Sequence, residues 1–340
     1  MMPASRALRL NAAPHLHAGG AVPRLMLHSV IALLPVTLFA VALFGLAALA
    51  TIVVAIFSCL LAERVFAQPS ALSDGSAMLT GLLLGLSLPP ALPLWMVVVG
   101  GFVAVGVGKH LFGGLGAPVF HPVLVGRVFL QAAFPVAMAQ AWLVPLASGR
   151  ASEIPATSLA LPFMSPNAPY DGLSGATPLA AIKAGDADEI SVPLADLWLG
   201  TVAGSVGETS ALLLLLGGLY LVVMRVIDWR IPVALLSTVA VLSAALFGFD
   251  GERYPSMLTA LASGGLMLGA WFLASDPSVS PMTRRGTWVY GLAIGVLVVV
   301  IRQFSGQAEG VMYALLLGSA LTPHIDRWTR PRPLPEGLER

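Results

Sequence analysis

Apolar residues arrive along this chain in long blocks rather than in alternation. The blocks are long enough to cross a lipid bilayer, which takes roughly 20 helical residues. Residues 27–62 are too long for one crossing and predict a hairpin of two helices turning near 45–50. Residues 76–90 and 92–107 predict a second pair, divided at Pro89-Pro90, where the missing N–H and the pyrrolidine ring end a helix. Another segment runs from 119 to 146, and after a polar stretch spans are predicted at 196–224, 231–249, 257–275, 287–301 and 311–325. The expected fold is an all-α integral membrane protein of about ten transmembrane helices. It divides into an N-terminal arm (1–26), a first bundle half (27–146), a long extracytoplasmic loop (147–195), a second half (196–325) and a C-terminal tail (326–340).

Composition agrees with this reading: 57% hydrophobic residues, 10% charged and a mean hydropathy of +0.87 leave a soluble fold without enough polar surface. The net charge of +1 gives no reason to expect nucleic acid. The single cysteine, Cys59, cannot build a disulfide framework or an iron–sulfur cluster alone, and no metal site is expected. Residues 1–20 have no apolar core and do not read as a cleaved signal. With the N-terminus in the cytoplasm, that side receives Arg24, Arg64, Lys109, Arg225, Arg230, Arg284, Arg285 and Arg327 along with the arginines of both ends. The outer side keeps Arg150, Lys183, Arg253 and Arg302. Both termini are therefore expected in the cytoplasm and the long loop outside.

A weak internal symmetry accompanies these spans. Met78-Leu79-Thr80 opens the third and Met257-Leu258-Thr259 the eighth, and Gly108-Lys109-His110-Leu111-Phe112 is similar to Ile301-Arg302-Gln303-Phe304-Ser305. Spans five apart enter from opposite sides, as an inverted repeat of five-helix halves requires.

Several polar residues interrupt the apolar blocks. Glu208 falls mid-span, where an ionised side chain costs about 2.5 to 3.5 kcal/mol, so it is expected to face the bundle interior. Gly204, Ser205 and Gly207 would let the helix unwind there and free N–H groups for a ligand; the alternative is an acid satisfied by Thr209, Ser210 or a helix end. Lys109, His110 and Arg127 flank Gly113-Gly114-Leu115-Gly116, which suits either a phosphate or the membrane surface. His121 can hydrogen-bond and titrate, or be an ordinary interfacial histidine at a helix start. Asp276, before Pro277, reads as a cap or turn acid.

The long loop contains Asp171-Gly172-Leu173-Ser174-Gly175-Ala176-Thr177-Pro178-Leu179. By turn chemistry alone this is a surface turn. It also resembles the sequence at which a flavin transferase joins FMN through its phosphate to a threonine hydroxyl, here Thr177. Attachment needs an exposed hydroxyl, small neighbours (Gly175, Ala176) and polar donors near Asp171, with Ser174 among them.

Beside this loop, residues 78–90, 108–116, Gly126-Arg127-Val128-Phe129, 204–211, 264–270 and Ala274-Ser275-Asp276-Pro277 stand in one order. Together they resemble the D subunit of the Rnf ion-translocating oxidoreductase and, more distantly, the B subunit of the sodium-translocating NADH:quinone reductase. The segment from Ala117 to Val123 departs from the family pattern, which is expected to carry asparagine where Ala117 and His121 stand.

The resemblance implies an electron-carrying subunit of a bacterial inner-membrane complex. That complex exchanges electrons between ferredoxin and NAD and couples this to Na⁺ or H⁺ movement. It also implies covalent FMN at Thr177, a second, non-covalent flavin among the helices, a maturing flavin transferase, and further subunits and membrane lipid as partners. Glu208, Lys109, Arg127 and His121 are the candidates for the second flavin or an ion site. The chain shows no dinucleotide fingerprint, so NAD is expected to bind elsewhere in the complex. The rival classes are a secondary transporter or channel without redox cofactor, and a purely structural anchor.

Overall fold

The computed structural model describes residues 21–66, 73–116, 118–145, 154–162, 177–184, 193–208, 210–251, 254–306 and 309–330. Asp171, Ser174, Gly175, Ala176 and Ala117 lie outside them, as do the N-terminal arm to residue 20, most of the long loop and the tail beyond residue 330. The described elements are all helical.

The first half contains α1 (Ala21–Phe44), α2 (Leu46–Phe66), α3 (Ser76–Ser87), α4 (Leu94–Val105), α5 (Pro122–Ala133) and α6 (Pro135–Gln140). Two short helices follow, α7 (Pro178–Ala184) and α8 (Leu194–Leu199). The second half contains α9 (Ala211–Val223), α10 (Arg230–Phe249), α11 (Met257–Ala262), α12 (Leu266–Leu268), α13 (Arg284–Phe304) and α14 (Val311–Thr329). Among the described residues α1, α2, α10 and α13 are long and apolar enough to cross a membrane, and α3, α4, α5 and α9 are shorter apolar helices. Large apolar side chains such as Leu38, Phe57, Val241 and Phe304 point outward uncovered, which lipid tolerates and water does not.

Glycine and proline set the breaks. Gly45 takes a left-handed φ of 66°, and the α1–α2 hairpin turns on that one residue. α3 stops before Pro89-Pro90, and the stranded Pro90 carbonyl accepts from Thr51 Oγ1 at 3.1 Å. Two predicted spans are broken helices. Residues 196–224 hold α8, an irregular stretch with a 3₁₀ turn at Val206–Glu208, and only then α9. Residues 257–275 hold α11, a break at Ser263–Gly265, and α12 running into a π turn at Gly269–Leu273. α4 likewise ends in a π turn, Gly106–His110.

The two halves pack in the same pattern. α2 lies on α3 and α4, and α4 on α5; α10 lies on α11 and α13, and α13 on α14. Contact between α1 and α9 and between α5 and α14 joins the halves. α3, buried except at Met78, is the central helix of one half, and the wholly buried run from Gly265 to Ser275 is that of the other. Small residues permit the close approach: a Cβ on Gly81 would stand 2.5 Å from Ile56 Cα, and one on Gly291 2.8 Å from the Ile231 oxygen.

Candidate functional site

The broken helices of the second half converge at one end of the bundle. The 3₁₀ turn before α9 is docked on α3 by the Val206 N–H, which donates to Leu88 O at 3.1 Å. Glu208 is therefore not mid-helix, as its sequence position predicts, but in the turn that precedes α9. Its Oε2 accepts from Ser205 N at 3.4 Å. Ser210 caps α9 instead, accepting from Leu213 N, so it does not satisfy the acid.

The break between α11 and α12 brings in three more charges. Arg302, at the end of α13, donates to Ala260 O at 2.8 Å and Ser263 O at 2.9 Å, two carbonyls that the broken helix leaves unpaired. Glu309, just before α14, accepts from Gly265 N at 3.3 Å. Arg127 on α5 donates through Nη2 to Glu309, and the same nitrogen lies 3.9 Å from Glu208 Oε1. Two guanidiniums and two acidic side chains thus meet where the helices are open. The glycines of the break make room for them. A Cβ on Gly264, whose φ is +67°, would stand 3.0 Å from Arg302 Nη2, and one on Gly265 3.1 Å from Glu208 Oε1.

Thr177 belongs to this end. It caps α7, its Oγ1 accepting from Ala180 N at 3.3 Å, and Lys183 tethers the helix by donating to the Arg302 and Ser305 carbonyls. Partial burial lowers the Lys183 pKa from its ordinary value. The exposed hydroxyl expected at Thr177 is not what is found: the residue is 9% exposed because α7 packs onto the bundle. It opens instead into a cavity of about 250 Å³ shared with Arg127, Gln131, Trp142, Glu309 and Tyr313. A crevice on its other side joins it to Gly204, Glu208 and Gly264.

Lys109 and His121 lie at the opposite end, so the four predicted second-site residues divide into two groups. Lys109, in the π turn after α4, is 3% exposed and donates to Glu63 Oε1 at 2.6 Å and to Ser76 Oγ at 2.7 Å. His110 Nε2 stands 3.0 Å from the other Glu63 oxygen. Lys109 and Arg127 are both buried in the protein, each paired with an acid remote in sequence. His121, at the start of α5, is buried as well and pairs with Asp276 at 3.0 Å, while Asp276 also accepts from Ser278 N as the turn acid expected. His121 Nδ1 has no partner among the described residues. A narrow space beside His121 and Lys109 and an apolar cavity of about 210 Å³ lined by Met26, Leu83, Phe272 and Trp271 share Asp276.

Sequence reasoning missed Glu63 and Glu309 and assigned Arg302 to an outer loop. The available signal was the similarity of the Lys109 and Arg302 segments. Both cations end the corresponding helices of the two halves; Lys109 binds Ser76 at the start of α3, and Arg302 binds Ala260 and Ser263 at the end of α11, just before the buried run. Among the described residues no group of three or more His, Cys, Asp or Glu side chains is placed to hold a metal.

The family model described as "NQR2, RnfD, RnfE family" matches residues 9–334. The chain is similar to the D subunit of the ion-translocating oxidoreductase complex of Stutzerimonas stutzeri, 41% identical over 92% of this chain and 91% of the relative. It is 36% identical to the D subunit of the proton-translocating ferredoxin:NAD(+) oxidoreductase complex of Clostridium ljungdahlii, over 95% of this chain and 94% of the relative. It is 37% identical to the D subunit of the Na(+)-translocating ferredoxin:NAD(+) oxidoreductase complex of Acetobacterium woodii, over 96% and 94%. With the match running through both bundle halves and the loop between them, the chain belongs to the NQR2, RnfD, RnfE family.

Proposed function

We propose that this chain is the flavin-carrying membrane subunit of an ion-translocating oxidoreductase complex that couples electron exchange between ferredoxin and NAD to movement of Na⁺ or H⁺. The names of the relatives support the complex, its redox partners and both ions. The observation that carries the flavin reading is Thr177, whose side chain borders the cavity of about 250 Å³ with Arg127, Trp142 and Tyr313. Small-molecule sites are commonly about 300 to 1,000 Å³, so the space suits part of FMN, with the rest reaching the loop side. Arg127 Nη1 is buried there without a partner among the described residues, a donor that fits a polar ligand.

FMN joined through its phosphate to Thr177 would supply one- and two-electron chemistry at this end of the bundle. Thr177 Oγ1 would provide the oxygen of the phosphoester, its proton passing to a base on the maturing flavin transferase, as the phosphoanhydride bond of a flavin dinucleotide donor breaks and a nucleoside monophosphate leaves. α7 holds the substituted threonine against the bundle, and Trp142 and Tyr313 keep water from the cavity. At the opposite end, Met26, Leu83 and Trp271 with His121 and Asp276 are the residues that would hold a second, non-covalent flavin. The proposed setting is the bacterial inner membrane, with about ten crossings, both termini cytoplasmic, the Thr177 loop outside, and lipid and the other subunits as neighbours. Exposed Arg24, Arg64, Arg225, Arg284 and Arg327, all at helix ends on one side of the bundle, support that orientation.

The test is in-gel flavin fluorescence after denaturation. The native chain is expected to fluoresce, Thr177→Ala to lose the signal while remaining in the membrane, and Thr177→Ser to keep part of it. Full fluorescence in Thr177→Ala rejects the attachment site, and a dark native chain leaves a transporter or anchor without covalent flavin.

A further inference from the structure

We infer that Arg127 is the cationic contact of the flavin ring, holding the pyrimidine edge of the isoalloxazine carried at Thr177. The inference rests on the covalent-flavin reading above and adds a residue and a polarity to it. Arg127 Nη2 is committed to Glu309, but Nη1 is buried and unpartnered among the described residues. A buried guanidinium N–H left without an acceptor costs about 1 to 3 kcal/mol or more, so a ligand oxygen in the adjoining cavity would recover that energy.

The cavity lies between α5, which brings Arg127 and Gln131, and α7, which brings Thr177 and Ala180. Trp142 and Tyr313 line it as well. Aromatic walls with one arginine, held by Glu309 on the same wall, suit a flat ring that has carbonyls along one edge. A phosphodiester would call for several converging donors.

The polarity follows from charge. When two electrons and one proton reach the ring, it gains one negative charge, spread over N1 and the C2 carbonyl. A fixed cation at that edge favours the reduced ring over the oxidised one. The acids hold Arg127 in place: Glu309 grips Nη2 and Glu208 stands 3.9 Å away, which leaves buried Nη1 as the nitrogen without a partner among the described residues.

The experiment uses the full chain, flavinylated by co-expressed transferase, titrated with dithionite at fixed pH and followed by flavin absorbance. The Thr177→Ala titration is subtracted to isolate the covalent flavin. Arg127→Gln is expected to move the midpoint negative by about 30 mV or more, a tenfold loss of preference for the reduced ring at two electrons. Arg127→Lys, which keeps the charge, is expected to move it less. Because Arg127→Gln strands Glu309 and can fail to fold, Arg127→Gln/Glu309→Gln is titrated beside Glu309→Gln; both lack the Glu309 charge, and the double variant is expected about 30 mV or more negative of the single one. A fully flavinylated double variant with the same midpoint as Glu309→Gln overturns the inference. So does loss of in-gel fluorescence in the folded variants while the native chain fluoresces, since Arg127 would then serve attachment. A native chain without covalent flavin instead overturns the reading on which the inference rests.

Discussion

Removing the Lys109 ammonium tests whether the charges of this bundle are structural or superficial. Lys109 and Glu63 are 2.6 Å apart, and their side chains are 4% and 0% exposed. In Lys109→Met the Glu63 carboxylate keeps only His110 and has no route to water. Stranding one partner of a buried pair costs about 3 to 5 kcal/mol, whereas losing a surface lysine costs at most about 1 kcal/mol. At about 2 °C per kcal/mol, the low end of the range for large soluble domains, the buried case lowers the melting midpoint by about 6 to 10 °C.

Glu63→Leu/Lys109→Met removes both charges and keeps the volume. Ser76 Oγ is not orphaned by it, because that hydroxyl also donates to Asp74 at 2.6 Å. The double variant is expected within about 1 kcal/mol of the native chain, since apolar replacement of a buried pair is often neutral or stabilising. Cys59 provides the assay: it is the chain's single cysteine, fully buried one turn before Glu63, so a fluorogenic thiol reagent lights up on unfolding. A loss under about 1 kcal/mol in Lys109→Met, or a double variant that equals the sum of the singles within about 0.5 kcal/mol, refutes the reasoning.

Two further outcomes are expected. Ser174→Cys and Met282→Cys in a Cys59→Ala background should be labelled by an impermeant thiol reagent from outside and inside respectively, and labelling of both from one side overturns the proposed topology. Met282 is 96% exposed, whereas a Cβ on the neighbouring Gly286 would stand 2.5 Å from Thr283 Oγ1, so the reporter belongs at Met282. Glu208→Gln, keeping shape but not charge beside Arg127, should retain covalent flavin and some electron flux while weakening charge movement in reconstituted vesicles. Full coupling in that variant takes Glu208 out of the ion path.

The sequence was most legible where chain chemistry is local. Gly45 and Pro89-Pro90 punctuate helices by themselves, and the predicted spans at 287–301 and 311–325 lie inside α13 and α14. Hydropathy averages over a window, so it could not separate a continuous helix from α8 and α9 with their irregular link, or see the break at Ser263–Gly265. The burial of Lys109 and Arg127 was hidden for another reason. Their acids lie 46 and 182 residues away, and a charge at the end of an apolar run reads as a surface charge until its partner is known. The cavity beside Thr177 could not be read from the chain, because its walls come from α5, α7 and the residues around Glu309 and Tyr313.

The two charged clusters are separated by an apolar layer. α3 runs between them, from Ser76 beside Lys109 to Leu88 beside Val206, about 18 Å at 1.5 Å per residue. It carries no charge, and its interior hydroxyls are spent on its own backbone: Thr80 donates to Ser76 O and Ser87 to Leu84 O. A cation placed along that helix would meet only such satisfied groups and would bear a cost of the order of 2.5 to 3.5 kcal/mol or more. In this conformation, then, α3 insulates one end of the bundle from the other. The open backbone lies elsewhere, at the link before α9 and at the Ser263–Gly265 break, and both are held by Arg127, Arg302, Glu208 and Glu309. Those four side chains border the cavity or crevice at Thr177 or bond to residues that do, so on the proposed flavin reading a change of charge there would act first on the groups that hold these breaks in place.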